Sequence, residues 1–107
     1  MAYKVLAQSA PSAATATDVY TVGSGVETVI STIIIANRAA TAGSFRLSVR
    51  PNGGTQTNAM YCAYGVPVAA NDSTTLTLGI TVDAADVITV YCSSADMSIN
   101  IFGTEIS

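Results

Sequence analysis

Strict alternation of apolar and polar residues is the feature that most restricts what this chain can become. Successive side chains of a strand point to opposite faces of a sheet, so a period of two marks a strand with one buried and one wetted side. In Ser44–Arg50, Phe45, Leu47 and Val49 fall on one side and Arg46, Ser48 and Arg50 on the other. Over Thr74–Val82, Leu76, Leu78, Ile80 and Val82 alternate with Thr75, Thr77, Gly79 and Thr81, and Met97, Ile99 and Ile101 oppose Ser98 and Asn100. No segment repeats at the helical spacing, so the apolar faces have to be buried sheet against sheet.

Runs rich in Val, Ile, Thr, Tyr and Phe recur between turn-forming clusters. They predict eight strands, at Ala2–Gln8, Asp18–Val22, Val26–Arg38, Ser44–Arg50, Ala59–Tyr64, Thr74–Val82, Val87–Ser93 and Met97–Ile106. Gly23-Ser24-Gly25, Pro51-Asn52-Gly53-Gly54, Ala70-Asn71-Asp72-Ser73 and Asp83-Ala84-Ala85-Asp86 supply the reversals, since Gly, Asn and Asp tolerate the backbone angles or local hydrogen bonds of tight turns. Ala7–Thr17, with Pro11, reads as a surface crossover. The expectation is one domain over residues 1–107, an all-β antiparallel sandwich of about eight strands, jelly-roll-like in strand number.

The third strand departs from the alternation. Counted by twos, Val29, Ile33 and Ile35 share one face while Ile30, Ile34 and Ala36 share the other, so both faces are apolar. In a two-layer domain one face meets the core, and the second cover comes from the Ala-rich N-terminal segment or from another subunit. Val29, Ile30, Ile33, Ile34 and Ile35 are therefore the candidate oligomer or partner interface.

Composition points the same way. Charged residues are 10% of the chain, against about 25% in an average soluble protein. A mean hydropathy of +0.46 with a net charge of −3 implies that part of the exterior is covered in an assembly. The four basic residues, Lys4, Arg38, Arg46 and Arg50, form no basic stripe, so nucleic acid is not an expected partner. The longest apolar stretch, Val29–Ala36, is interrupted by Ser31 and Thr32 and falls short of the roughly 20 residues of a membrane span. The apolar stretch after Lys4 is too short for a signal peptide, so synthesis in the cytoplasm is expected.

Catalytic templates find little purchase. The chain has no histidine, which removes Ser-His-Asp and Cys-His arrangements and leaves no zinc ligand set. Cys62 and Cys92 read as small buried hydrophobes within strands, with a bridge between them left open. Asp72, Asp83, Asp86 and Asp96 fall at turns, where carboxylates bond nearby amides, and match no calcium loop. No metal, cofactor or enzymatic activity is expected. Of the five tyrosines, Tyr3, Tyr20, Tyr61, Tyr64 and Tyr91, three lie in strands among apolar neighbours. A saccharide platform built from them with the Asn52–Gln56 loop is the weaker alternative.

The opening Met1-Ala-Tyr-Lys-Val-Leu-Ala-Gln-Ser-Ala-Pro, the middle Ala-Asn-Arg-Ala-Ala-Thr followed by Phe45-Arg-Leu-Ser-Val-Arg-Pro51, and the closing Ile101-Phe-Gly-Thr-Glu-Ile106 carry a likeness. It extends through Val66–Asp72, Leu76–Thr81 and Asp86–Tyr91, so nearly the whole chain resembles small virion proteins of tailed phages and cyanophages, though no single motif is diagnostic. The resemblance implies a β-sandwich structural component of the virion. It favours a capsid decoration or cement protein that bridges neighbouring subunits of the major capsid protein, commonly as a homotrimer, with a tail, neck or fibre component as the alternative. It carries over no catalytic residues.

Overall fold

The computed structural model describes residues 2–77 and 79–107. Its strands are β1 (Lys4–Ser9), β2 (Ala16–Thr21), β3 (Glu27–Asn37), β4 (Gly43–Arg50), β5 (Tyr61–Val68), β6 (Ser73–Leu76), β7 (Ile80–Val82), β8 (Val87–Cys92) and β9 (Met97–Ile106). Two antiparallel sheets pack as a sandwich, with 59% of the described residues in strands.

One sheet runs β1-β9-β3, with β6 and β7 both paired along the free side of β3; the other runs β2-β8-β4-β5. β6 lies against Ile33–Ala36 and β7 against Thr28–Ile30. With β6 and β7 taken as one lane, each sheet has four lanes, the first and last strands are neighbours, and the chain passes repeatedly from sheet to sheet. This is the strand order of a jelly roll.

The single strand expected over Thr74–Val82 is thus two. Gly79, at φ +64°, interrupts the pairing, and Leu78, expected on its core face, lies outside the described residues. A bulge between Ile30 and Thr32 shifts the register of β3 against β9 in the same region. The bulge also corrects the faces read by twos. Ile30 joins Ile33 and Ile35 on the inner side, and Val29 turns outward with Ile34 and Ala36, giving a burial pattern that alternates up to the bulge and resumes after it.

The fifth strand runs past Tyr64 to Val68. A bulge at Tyr64 and Gly65, with Gly65 at φ +66°, carries the ladder onward, and Pro67 is admitted because β5 is a sheet edge. The core lies between the sheets. Ile30, Ile33, Ile35, Met97, Ile99 and Ile101 from one meet Phe45, Leu47, Ile88, Val90 and Cys92 from the other, all at 1% exposure or less. Asn37 latches one end, its amide donating to the carbonyls of Thr41, Val68 and Ala69.

Candidate functional site

The outer faces of the two sheets differ in chemistry. On the β1-β9-β3 sheet, register places Val5 opposite Phe102, Phe102 opposite Thr32, Ile34 between Asn100 and Thr75, and Val29 between Thr104 and Thr81. Val5 is 49% exposed and Ile106 37%, while Val29, Ile34, Ala36 and Phe102 are half-buried. From Val29 to Ala36 this face of β3 carries no charge; Glu27 and Arg38 bound it at either end.

This geometry divides the five residues expected at an interface. Val29 and Ile34 stand on the outer face. Ile30, Ile33 and Ile35 are closed into the core at 1%, 1% and 0% exposure and reach no partner, because the bulge and the pleat turn them inward. The Ala-rich N-terminal segment does not cover β3: β1 lies flat beside β9, and the following crossover passes to the other sheet, where the Ala14 amide bonds to the Cys92 carbonyl. Phe102, missed as a surface residue, continues the wetted parity of Ser98 and Asn100, and that period was the signal that could have found it.

The outer face of the second sheet is aromatic and polar. Arg46 on β4 pairs across the ladder with Tyr91 on β8, and the β5 bulge brings Tyr64 to its other side. The guanidinium carbon lies 4.3 Å from the Tyr64 ring centroid and 4.2 Å from that of Tyr91, so the cation makes a cation–π contact with each ring. Tyr61 meets Tyr64 edge to face at 4.9 Å. Beside them opens a cleft of about 240 Å³ lined by Ala16, Arg46, Ser48, Gln56, Tyr61, Thr89 and Tyr91. Its floor is already satisfied, as Ser48 donates to Gln56 and Thr89 donates to Asp18, which Arg50 also holds at 2.8 Å.

Tyr20 belongs to neither face. From β2 its hydroxyl reaches across the sandwich, donating to Glu105 at 2.6 Å and lying 2.9 Å from Thr28 Oγ1, while Lys4 pairs with Glu105 at 2.8 Å. The hydrogen bond from Lys4, and then that from Tyr20, hold the Glu105 carboxyl below its ordinary value. Burial, and then the bond to Glu105, push the Tyr20 phenol up. The cluster ties strands of both sheets together and opens onto no cleft.

The aspartates divide between the two ends of the sandwich. Asp86 accepts from the amides of Asn52 and Asp83 at one end, and Asp72 accepts from the Ser73 amide at the other. Among the described residues no three metal-ligating groups come together. Cys92 is buried, its thiol pushed up to about 11 by that burial, whereas Cys62 is exposed on the bulged edge strand, and both are free thiols. The pair does not bridge, and the reading of Cys62 as a buried hydrophobe is corrected. No protein-family model, curated protein or solved structure matches the chain.

Proposed function

We propose that this protein is a non-catalytic structural component of a phage virion, a decoration protein that clamps neighbouring subunits of the shell, and that its copies associate through the outer face of the β1-β9-β3 sheet. The observation that carries the reading is that face: apolar residues at its centre, Thr, Ser, Asn and Gln between them, and, among the described residues, ionised groups only at its ends. Its uncharged length of eight residues, Val29–Ala36, corresponds to about 25 Å, and four lanes to about 19 Å. The patch then covers about 500 Å² per copy, so two faces bury the roughly 1,000 Å² that a specific interface requires.

A monomer with 10% charged residues would expose this surface continuously to water. Packing against another copy removes it. The jelly-roll order is compatible with this role, being an architecture that capsid and lectin domains share, and by itself chooses no function. The particle setting rests on the sequence resemblance.

Sedimentation of the wild type and of Ile34→Asp tests the association. The wild type is expected to run as an oligomer and Ile34→Asp as a folded monomer, since a carboxylate cannot be buried unpaired in an apolar contact. Wild-type protein that stays monomeric at high concentration, and that fails to bind purified phage shells, overturns the proposal.

A further inference from the structure

Arg46 stands apart from the other cations of the chain. Lys4 is paired with Glu105 and Arg50 with Asp18, and Arg38 donates to the Ser98 hydroxyl and the Ala95 carbonyl. Arg46 makes no hydrogen bond or ion pair among the described residues; it lies instead against the rings of Tyr64 and Tyr91. Contact with two rings leaves the N–H donors of the guanidinium without a hydrogen-bond partner among the described residues. It also fixes the side chain, so little conformational entropy remains to be lost when an anion binds.

We propose that the cleft beside Arg46 binds a carboxylate-bearing sugar, a uronate unit of an acidic polysaccharide, with Arg46 gripping the carboxylate and Tyr61 and Tyr64 offering ring faces to the sugar. The fork of a guanidinium matches a carboxylate in two parallel hydrogen bonds. The cleft of about 240 Å³ is below the usual size for a drug-like ligand and suits a single ring. A second hollow of about 370 Å³, lined by Asn58, Tyr61 and Tyr64, shares Tyr61 with it and offers a neighbouring unit a place. Gln56 is engaged at both ends of its amide, with Ser48 and Thr57, so Asn58 supplies the amide for hydroxyl groups, and Tyr64, 62% exposed, presents aromatic surface to solvent.

An acidic peptide fits less well. Peptides add to sheet edges through backbone hydrogen bonds, and the adjacent edge strand β5 is interrupted by the bulge at Gly65 and by Pro67, which has no N–H. Asp18, bonded to the cleft residue Thr89, is held by Arg50 as well and forms no ion pair with Arg46. The site uses the sheet face opposite to the proposed assembly surface and stands independently of it.

Titration of the full chain, followed by NMR shifts, tests the assignment with oligogalacturonate, hyaluronan oligosaccharides and alginate oligosaccharides. The methyl ester of the galacturonate serves as an uncharged control of the same ring, and oligoglutamate as a charged control without a sugar. At least one uronate is expected to move the signals of residues lining the cleft, with the ester and oligoglutamate much weaker. Arg46→Gln should weaken that binding about tenfold or more, by loss of a charge-assisted pair, and Tyr61→Ala should weaken it while keeping the charge. Thermal melts of both variants confirm that they fold. Failure of all three uronates, equal binding of oligoglutamate, or an affinity unchanged in folded Arg46→Gln overturns the proposal.

Discussion

Replacing Tyr20 with Phe isolates what the cross-sheet hydroxyl cluster contributes. A phenol has one hydrogen, and Tyr20 donates it to Glu105 at 2.6 Å, so at the 2.9 Å contact Thr28 is the donor and Tyr20 the acceptor. The relay therefore runs from Thr28 through Tyr20 to a carboxylate that Lys4 also holds. Thr28 is fully buried, and removing its acceptor leaves a hydroxyl that water cannot reach, at a cost of about 1–3 kcal/mol. The side chain of Glu105 is 32% exposed, so solvent replaces most of what it loses, and that share stays below about 1 kcal/mol. Together the loss is about 2–3 kcal/mol, or about 10 °C in Tm for a domain of this size.

Urea denaturation of four proteins, wild type, Tyr20→Phe, Thr28→Val and the double variant, separates the shares. In the wild-type background Thr28→Val should destabilise; in the Tyr20→Phe background it removes an orphaned donor and should restore stability. The carboxylate share depends on pH. Because the folded carboxyl of Glu105 is held below its ordinary value, chiefly by Lys4 and then by Tyr20, its contribution is full above the unfolded glutamate range. That contribution is lost as pH falls through the depressed value. The penalty of Tyr20→Phe should therefore shrink modestly in acid and keep the Thr28 part. If Thr28→Val destabilises both backgrounds equally, the relay as drawn is refuted.

Three further substitutions probe packing within and between the sheets. A methyl group at Gly103 would run into the carbonyl oxygen of Val29 and reach 3.0 Å from Ile30 Cα, both backbone atoms of β3 at its bulge. At Gly43 it would meet the Met97 thioether at 3.2 Å and the Ser93 hydroxyl at 3.3 Å, which can shift. Gly103→Ala should cost about 3 kcal/mol or more in urea denaturation and Gly43→Ala about 1 kcal/mol, and equal losses would show that the bulge does not depend on Gly103. Thr104→Val removes a buried hydroxyl that has no hydrogen-bond partner, so the midpoint should rise by about 1 kcal/mol, and a lower midpoint would mean that the hydroxyl is satisfied.

The alternation of Phe45, Leu47 and Val49 with Arg46, Ser48 and Arg50 was legible in register, because β4 pairs with β8 without a bulge. Its burial was less so, since Ser48 is covered under its bond to Gln56 and Val49 is only half-buried. The faces of β3 were not legible. A bulge is a relation between a strand and its neighbour, here β3 with β9, and nothing in Ile30-Ser31-Thr32 itself announces that one position goes unpaired. The same limit explains Cys62. It stands on an edge strand whose bulge is set by pairing with β4, whereas Cys92 continues the inward parity of Ile88 and Val90. Arg46 could be read as a wetted residue, but its contact with both Tyr64 and Tyr91 depends on β5 and β8 flanking β4, an order that periodicity does not contain.

The placement of charge connects the two outer faces. Asp72, Asp83 and Asp86 bond amides in the end turns, and Arg38 closes one end of β3, so most ionised groups lie at the rims of the sandwich. Repulsion between copies, at a net charge of −3, then acts at the rims and little across the centre of the β1-β9-β3 face. A molecule that buries that face must turn its other sheet outward, since the two faces are opposite sides of one sandwich. That orientation would array the Arg46 cleft over the assembly, where weak sites on neighbouring copies engage one polymer together and avidity exceeds the affinity of each. Ile34→Asp supplies the separation: as a monomer it should bind a short uronate as the wild type does, yet lose the tighter hold on a long chain that only adjacent copies can produce.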